Sequence, residues 1–246
     1  YLTQTETGPA GLMRPPDVDE ERQQRREELL EGIRQDYSAR RAGDELVKAQ
    51  NQVAEAAFRL AGPKFLSVFD LEQESKTTKE AYASEFGKRC LLARRLVESG
   101  SRFVEVSYNL NFLNGSGWDT HNAGILAQHL LMQDLDRSLA QLVRDLEQRK
   151  LLDRTLIVVS TEFGRPPEFD AGGGRGHQSE GFSVLLAGGG LKYGQAIGET
   201  DDIGKSIVSR PISVPDYLAT VYSALGIDPE KNLYAGTRPV PITDHG

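Results

Sequence analysis

One cysteine, Cys90, is all that 246 residues contain. A lone cysteine cannot close an internal disulfide and is too few for a zinc ribbon. Within the apolar run Cys90-Leu91-Leu92-Ala93 it reads as a core thiol. Long hydrophobic runs are missing too: no stretch reaches the roughly 18 apolar residues of a membrane-spanning helix, so no transmembrane segment is expected. Basic surplus is absent. Lys and Arg number 29 against 36 Asp and Glu, a formal net charge of −7, and such a chain is not built to neutralise nucleic-acid phosphates. A small anionic substrate would need local positive charge, from a metal ion or a well-placed arginine. There is no Gly-x-Ser-x-Gly elbow for a serine nucleophile. The chain opens on polar Tyr1-Leu2-Thr3-Gln4-Thr5, with neither Met nor a signal peptide, and that start reads as a processed end or the edge of a fragment.

What remains is an ordinary globular composition, 38% hydrophobic and 26% charged, long enough for one large domain or two small ones. Residues 1–16 carry Gly8, Pro9, Gly11, Pro15 and Pro16 and read as an irregular lead-in. Asp17 is placed to cap a charged helix with Asp19, Glu20 and Glu21 in its first turn, running to about Arg41. A second helix is expected over 44–61, with Leu46, Val53, Ala57 and Leu60 on one face, ending at Gly62-Pro63. Residues 88–98 read as an amphipathic helix and 102–108 as a strand. A long helix over 121–149 keeps Ile125, Met132, Leu135, Leu139, Leu142 and Leu146 in helical register. Leu156 to Ser160 is a continuous apolar run, expected as a strand buried on both faces. Phe182 to Ala187 is expected as another strand, closed by Gly188-Gly189-Gly190, where no following helix offers its amides to a phosphate. Pro215 to Leu225 completes the series as a helix. Alternation of this kind predicts an α/β fold with a mostly parallel sheet flanked by helices. Residues 1–85 form a lead-in and helical segment, and 86–246 the α/β core.

Ligands of open α/β sheets bind beyond the carboxyl ends of strands. Three segments bring polar groups to such positions: Gly117-Trp118-Asp119-Thr120-His121, Thr161-Glu162-Phe163-Gly164-Arg165, and Gly174-Arg175-Gly176-His177. Carboxylate and imidazole suit zinc, manganese or iron, so Asp119, His121, Glu162 and His177 are candidate metal ligands. Arg165 and Arg175 are candidate anion-binding residues, able to grip a tetrahedral oxyanion bidentately. A plainer alternative stands beside this: Asp119 caps the long helix, His121 sits in its first turn and Glu162 pairs with Arg165. His129 reads as a packed helix residue and His245 as tail.

These three segments, the run from Val158 through Arg165, and the segments Leu186-Ala187-Gly188-Gly189-Gly190, Gly198-Glu199-Thr200-Asp201 and Asp216-Tyr217-Leu218-Ala219-Thr220 resemble the bacterial family named domain of unknown function 1501. The resemblance covers most of 86–246 and, more loosely, 17–85. That family looks like a branch of the alkaline phosphatase and sulfatase superfamily, which implies an alkaline-phosphatase-like core. It also implies a divalent metal (zinc or manganese, with calcium as a further option), hydrolysis of phosphate or sulfate esters, and export to the periplasm. By the resemblance Asp119 and His121 match first-metal ligands, Glu162 takes the place of an Asp, and His177 is the late His. The chain departs from the pattern twice. Phe163 stands where a metal-binding His is usual, and Gly176 where family members read Asp. The superfamily's first strand, with its nucleophile, has no counterpart in 1–60, which implies the C-terminal part of a longer protein with its nucleophile upstream of Tyr1. The alternative function is a non-catalytic exported binding or structural protein on the same scaffold. Nothing in the sequence specifies the oligomeric state.

Overall fold

The computed structural model describes residues 9, 12, 14–108 and 117–244; His245 lies outside them. The chain divides into two compact units, Tyr1–Ala83 with Leu91–Val104, and Ser84–Cys90 with Glu105–Gly246.

The first unit is helical because its caps and pairings are local. Helix α1 (Glu20–Arg40) is capped by Asp19, whose carboxylate accepts from Arg22 N at 2.7 Å; Asp17 lies two residues too early to do so. No α1 residue is buried. One-turn pairs such as Glu21 with Arg25 and Asp36 with Arg40 support it instead. Helix α2 (Glu45–Ala61) begins at Asp44, which accepts from Leu46 N and Val47 N, and it stops at Gly62. Short turns follow: α3 (Pro63–Leu66), 3-10 turns at Ser67–Phe69 and Leu71–Gln73, and α4 (Lys76–Ala81) capped by Ser75. Helix α5 (Glu85–Glu98) contributes its C-terminal half to this unit. There Leu91, Leu92 and Ala93 are buried, as are Val68, Phe69, Leu71 and Tyr82. Arg94 and Arg95 close on Glu74 at 2.8 and 2.5 Å, and Arg95 also donates to the carbonyls of Ser67 and Val68.

In the second unit a 3-10 run, Asn122–Ala127, leads into α6 (Gln128–Gln148), which buries Ser138, Leu142, Asp145 and Leu146. Strand β1 (Leu156–Val159) pairs antiparallel with β2 (Leu185–Gly188), Leu156 opposite Gly188 and Val159 opposite Leu185. Strands β3 (Glu199–Thr200) and β4 (Ile207–Ser209) form a second ladder. Helix α7 (Val214–Ala224) starts in a capping box of Ser213 and Asp216. The hairpin β5 (Asn232–Ala235) with β6 (Arg238–Pro241) turns through Gly236, at φ 64°.

This corrects the expected fold. Among the described residues there are three two-stranded antiparallel ladders and no parallel pairing, so the mostly parallel sheet of an alkaline-phosphatase-like core is not seen. The reason lies in the connection between β1 and β2. A parallel pair needs a crossover, usually a helix, whereas 160–184 carries none and returns the chain directly. Val158 is 41% exposed, so β1 is not covered on both faces. Residues 102–108 form no strand among the described residues. Helices over 20–40, 45–61 and 85–98 stand close to their expected spans, whereas the one expected over 121–149 is a 3-10 run at 122–127 and an α-helix only over 128–148. Among the described residues no helix is long and apolar enough to cross a membrane.

Candidate functional site

The three polar segments meet within the second unit. Backbone bonding joins the first to the third: Arg175 N donates to Thr120 O at 2.8 Å, and the buried Thr120 hydroxyl donates to Arg175 O at 3.2 Å. The second joins the third through an antiparallel bridge, Gly164 N to Gln178 O at 2.8 Å and Gln178 N to Gly164 O at 2.9 Å. Residues 170–174 fold back on themselves, with Asp170 Oδ1 accepting from Gly172 N and Gly174 N. Gly174 is required by close approach rather than by turn shape. A Cβ there would lie 2.2 Å from Thr120 O and 2.3 Å from Asn122 N.

Asp119 and His121 form a dyad. Asp119 Oδ1 lies 2.5 Å from His121 Nδ1 and accepts from His121 N at 3.1 Å, a local loop that a short carboxylate two residues upstream can close. Arg165 Nη2 approaches the same Oδ1 at 3.4 Å, while its Nη1 donates to the carbonyls of Arg175 and Gly176. Arg175 donates to Pro166 O at 2.7 Å and lies over the Phe169 ring at 4.6 Å. Both guanidiniums therefore hold loop to loop, and that of Arg165 also places positive charge beside the dyad. His177 stacks on Phe163 with centroids 4.0 Å apart, and its ring stands edge-on to His121 at 4.9 Å. Arg165 in turn lies over Phe163 at 5.1 Å. Glu168 and Lys205 form an ion pair at the rim that holds the carboxyl below and the amine above their ordinary values.

Of the expected residues, Asp119, His121, Arg165, Arg175 and His177 come together. Glu162 does not: it is exposed and, among the described residues, makes no hydrogen bond or ion pair. The plainer alternative is not met either, since the long helix begins only at Gln128. His121, not Asp119, is the N-cap residue of the 3-10 run, with no side-chain cap bond, and Arg165 reaches Asp119 rather than Glu162.

Sequence reasoning missed the support beneath the dyad. Tyr108 stacks on Phe86 at 4.0 Å and meets Trp118 edge-on at 5.4 Å, which anchors the residue before Asp119. Its hydroxyl donates to Asp134 Oδ2 at 3.0 Å, and burial together with this carboxylate pushes the phenol up to about 12. No local pattern signals a contact 26 residues apart.

Among the described residues no group of three or more His, Cys, Asp or Glu is placed to hold a metal ion. Two ligands about 2.0–2.1 Å from a tetrahedral zinc stand roughly 3.3 Å apart, whereas Asp119 Oδ1 and His121 Nδ1 are bonded to each other at 2.5 Å. The carboxylate orients the imidazole and directs Nε2 away from itself. The residues described do not fit a complete zinc, manganese or calcium centre.

A family model described as "Protein of unknown function (DUF1501)" matches residues 1–246. No curated protein and no solved structure matches the chain.

Proposed function

The chain belongs to the DUF1501 family, and from that premise we propose that the protein hydrolyses small anionic esters, of phosphate or of sulfate, at the junction of its three polar loops. The observation that carries this reading is the Asp119–His121 dyad with Arg165 beside it. An imidazole whose Nδ1 is held by a carboxylate offers Nε2 for proton transfer, the arrangement of a general acid or base. Arg165 and Arg175 supply the local positive charge that a chain of net charge −7 otherwise lacks. The motif resemblance to alkaline phosphatases and sulfatases supports the choice of ester. It also supports metal dependence and export as proposals, although no step is derived through a metal the described residues do not hold.

In this reading His121 Nε2 takes a proton from the attacking water as its oxygen bonds to phosphorus or sulfur and the bond to the ester oxygen breaks, the alcohol leaving on the far side; Asp119 holds the imidazole in one orientation, and the arginines hold the anion. The test is turnover of p-nitrophenyl phosphate and p-nitrophenyl sulfate, with and without added zinc, manganese or calcium. Turnover that falls by about 10²-fold or more in His121→Ala, in line with loss of a general acid or base, supports the proposal. No turnover of either ester under any metal condition overturns it.

One contact favours a second reading, a binding protein without turnover. Phe163 covers a face of the His177 ring at 4.0 Å, where the family pattern has a further imidazole. Calorimetric binding of phosphate or sulfate with no turnover of either ester would select it.

A further inference from the structure

Helix α2 carries two faces of different kind. One face packs toward α1: Val47 is buried, Asn51 and Phe58 are half-buried, and Arg34 of α1 donates to Asn51 O at 3.1 Å and lies over the Phe58 ring. The opposite face is apolar and open. Leu46 is 82%, Val53 69% and Leu60 44% exposed, with Ala49 and Ala57 exposed between them. The spacing of Leu46, Val53 and Leu60 is seven residues, two helical turns each, so the three form one seam along the helix, about 21 Å from end to end. A soluble helix normally turns such a seam inward.

The charges flanking the seam say what covers it. Glu45 lies beside Leu46 at the start, and Arg59 beside Leu60 at the end, on the same edge with Gln52 midway. Farther out stand Lys48 and then Glu55, which turns toward α1 and lies 3.8 Å from Arg34 Nη2. The edge thus reads acid–base–acid–base, and its sign pattern inverts about Gln52. A helix of this kind is complementary to itself when a second copy runs antiparallel. Leu46 then faces Leu60 of the other copy, Val53 faces Val53, and Glu45 lies along Arg59, each contact made twice by the twofold. Glu45 Oε1 already receives Lys48 Nζ at 2.7 Å, and a carboxylate accepts a second cation on its other oxygen. The small Ala49, Ala56 and Ala57 let the two backbones approach. A parallel arrangement would instead set this flank against the opposite one, which carries the uncharged Gln50, Ala54 and Ala61, and no charge pairing would form.

We propose that the exposed face of α2 is a homodimer interface in which two copies pair antiparallel about Gln52 and Val53. The proposal is independent of the ester-hydrolase reading. A two-helix seam is small beside the roughly 1,600 Å² of a standard interface, so the dimer is of micromolar strength.

The test is sedimentation velocity of the protein across the micromolar range, with circular dichroism on every variant. The expected result is a concentration-dependent dimer that Val53→Asp converts to monomer at unchanged helicity. Glu45→Arg alone raises the dimer Kd several-fold, on the order of 5-fold, as two exposed ion pairs allow. Glu45→Arg combined with Arg59→Glu returns it to the wild-type value. A wild type that stays monomeric throughout overturns the proposal. So does a dimer indifferent to Val53→Asp, or a double swap that binds no better than the single one. Should Val53→Asp lose helicity, the charge-swap pair of variants decides alone.

Discussion

His177 lies flat against Phe163, ring centroids 4.0 Å apart and planes 27° apart. The stack fills with hydrocarbon a position that the motif resemblance assigns to an imidazole, and the junction holds two histidines, His121 and His177.

Restoring the usual residues is therefore a direct experiment. Phe163→His adds a donor beside His177 and His121. Gly176→Asp is sterically open, since a Cβ at Gly176 meets nothing within 4 Å. We expect the double variant to bind zinc at least ten-fold more tightly than wild type by calorimetry. We expect Gly176→Asp alone to leave the unfolding free energy by urea titration within about 0.5 kcal/mol of wild type, the range of a neutral surface change.

Gly174 offers no such room. Gly174→Ala drives a Cβ onto Thr120 O at 2.2 Å and His121 C at 2.4 Å, backbone atoms that cannot rotate away. The expected outcome is rupture of the Thr120–Arg175 bonding. Destabilisation would be about 2–4 kcal/mol by urea unfolding, within the range of severe packing and network damage, with loss of any activity that depends on His121.

Glu74 predicts an acid limit to stability. Burial pushes its carboxyl up, but hydrogen bonds and charge from Arg95 and Arg94 outweigh that, and the group ends below its ordinary value of 4.5. A carboxyl depressed in the folded state stabilises above its unfolded value and loses that contribution as pH falls through the folded one. Wild type should therefore lose unfolding free energy below about pH 4.5. In Glu74→Gln this component should be missing, and the variant should be about 1–3 kcal/mol less stable at neutral pH, the cost of removing one partner of a buried charged bond, because Arg94 keeps Glu98 and Arg95 keeps the carbonyls of Ser67 and Val68. Urea titrations at several pH values check both.

The Asp134 network predicts an alkaline limit. Burial pushes Cys90 and Tyr108 up to about 12 each, and the Asp134 carboxylate adds to both. An acid raised in the folded state stabilises below its unfolded value and loses that contribution as pH climbs to the folded one. For Tyr108 the window runs from its ordinary value of 10.0 to about 12, and for Cys90 from 9.0 to about 12. Cys90, only 2% exposed, should not react with a thiol reagent in native protein at pH 8 and should react once unfolded. Tyr108→Phe should cost about 1 kcal/mol of stability through the lost bond to Asp134.

Much of the helical structure was legible because its causes are local. Asp44 ahead of Glu45, Gly62-Pro63 behind Ala61, and the apolar spacing through Leu142 and Leu146 are contained within a few turns of chain. The polar residues of the three loop segments could be picked out too, since Asp119 closes on His121 through a two-residue contact. Strand direction was not legible. Leu156 to Val159 is equally apolar whether its neighbour runs parallel or antiparallel, and that choice belongs to the 25 residues between it and β2. The separation of Glu162 from Asp119, and the pairing of Asp119 with Arg165, rest likewise on contacts more than 40 residues apart. Sequence by itself determined which residues could do chemistry and where most helices lie, because propensity, capping and periodicity act over short range. Only the tertiary structure decided which of those residues share a site, because that depends on how loops of the second unit fold back on one another.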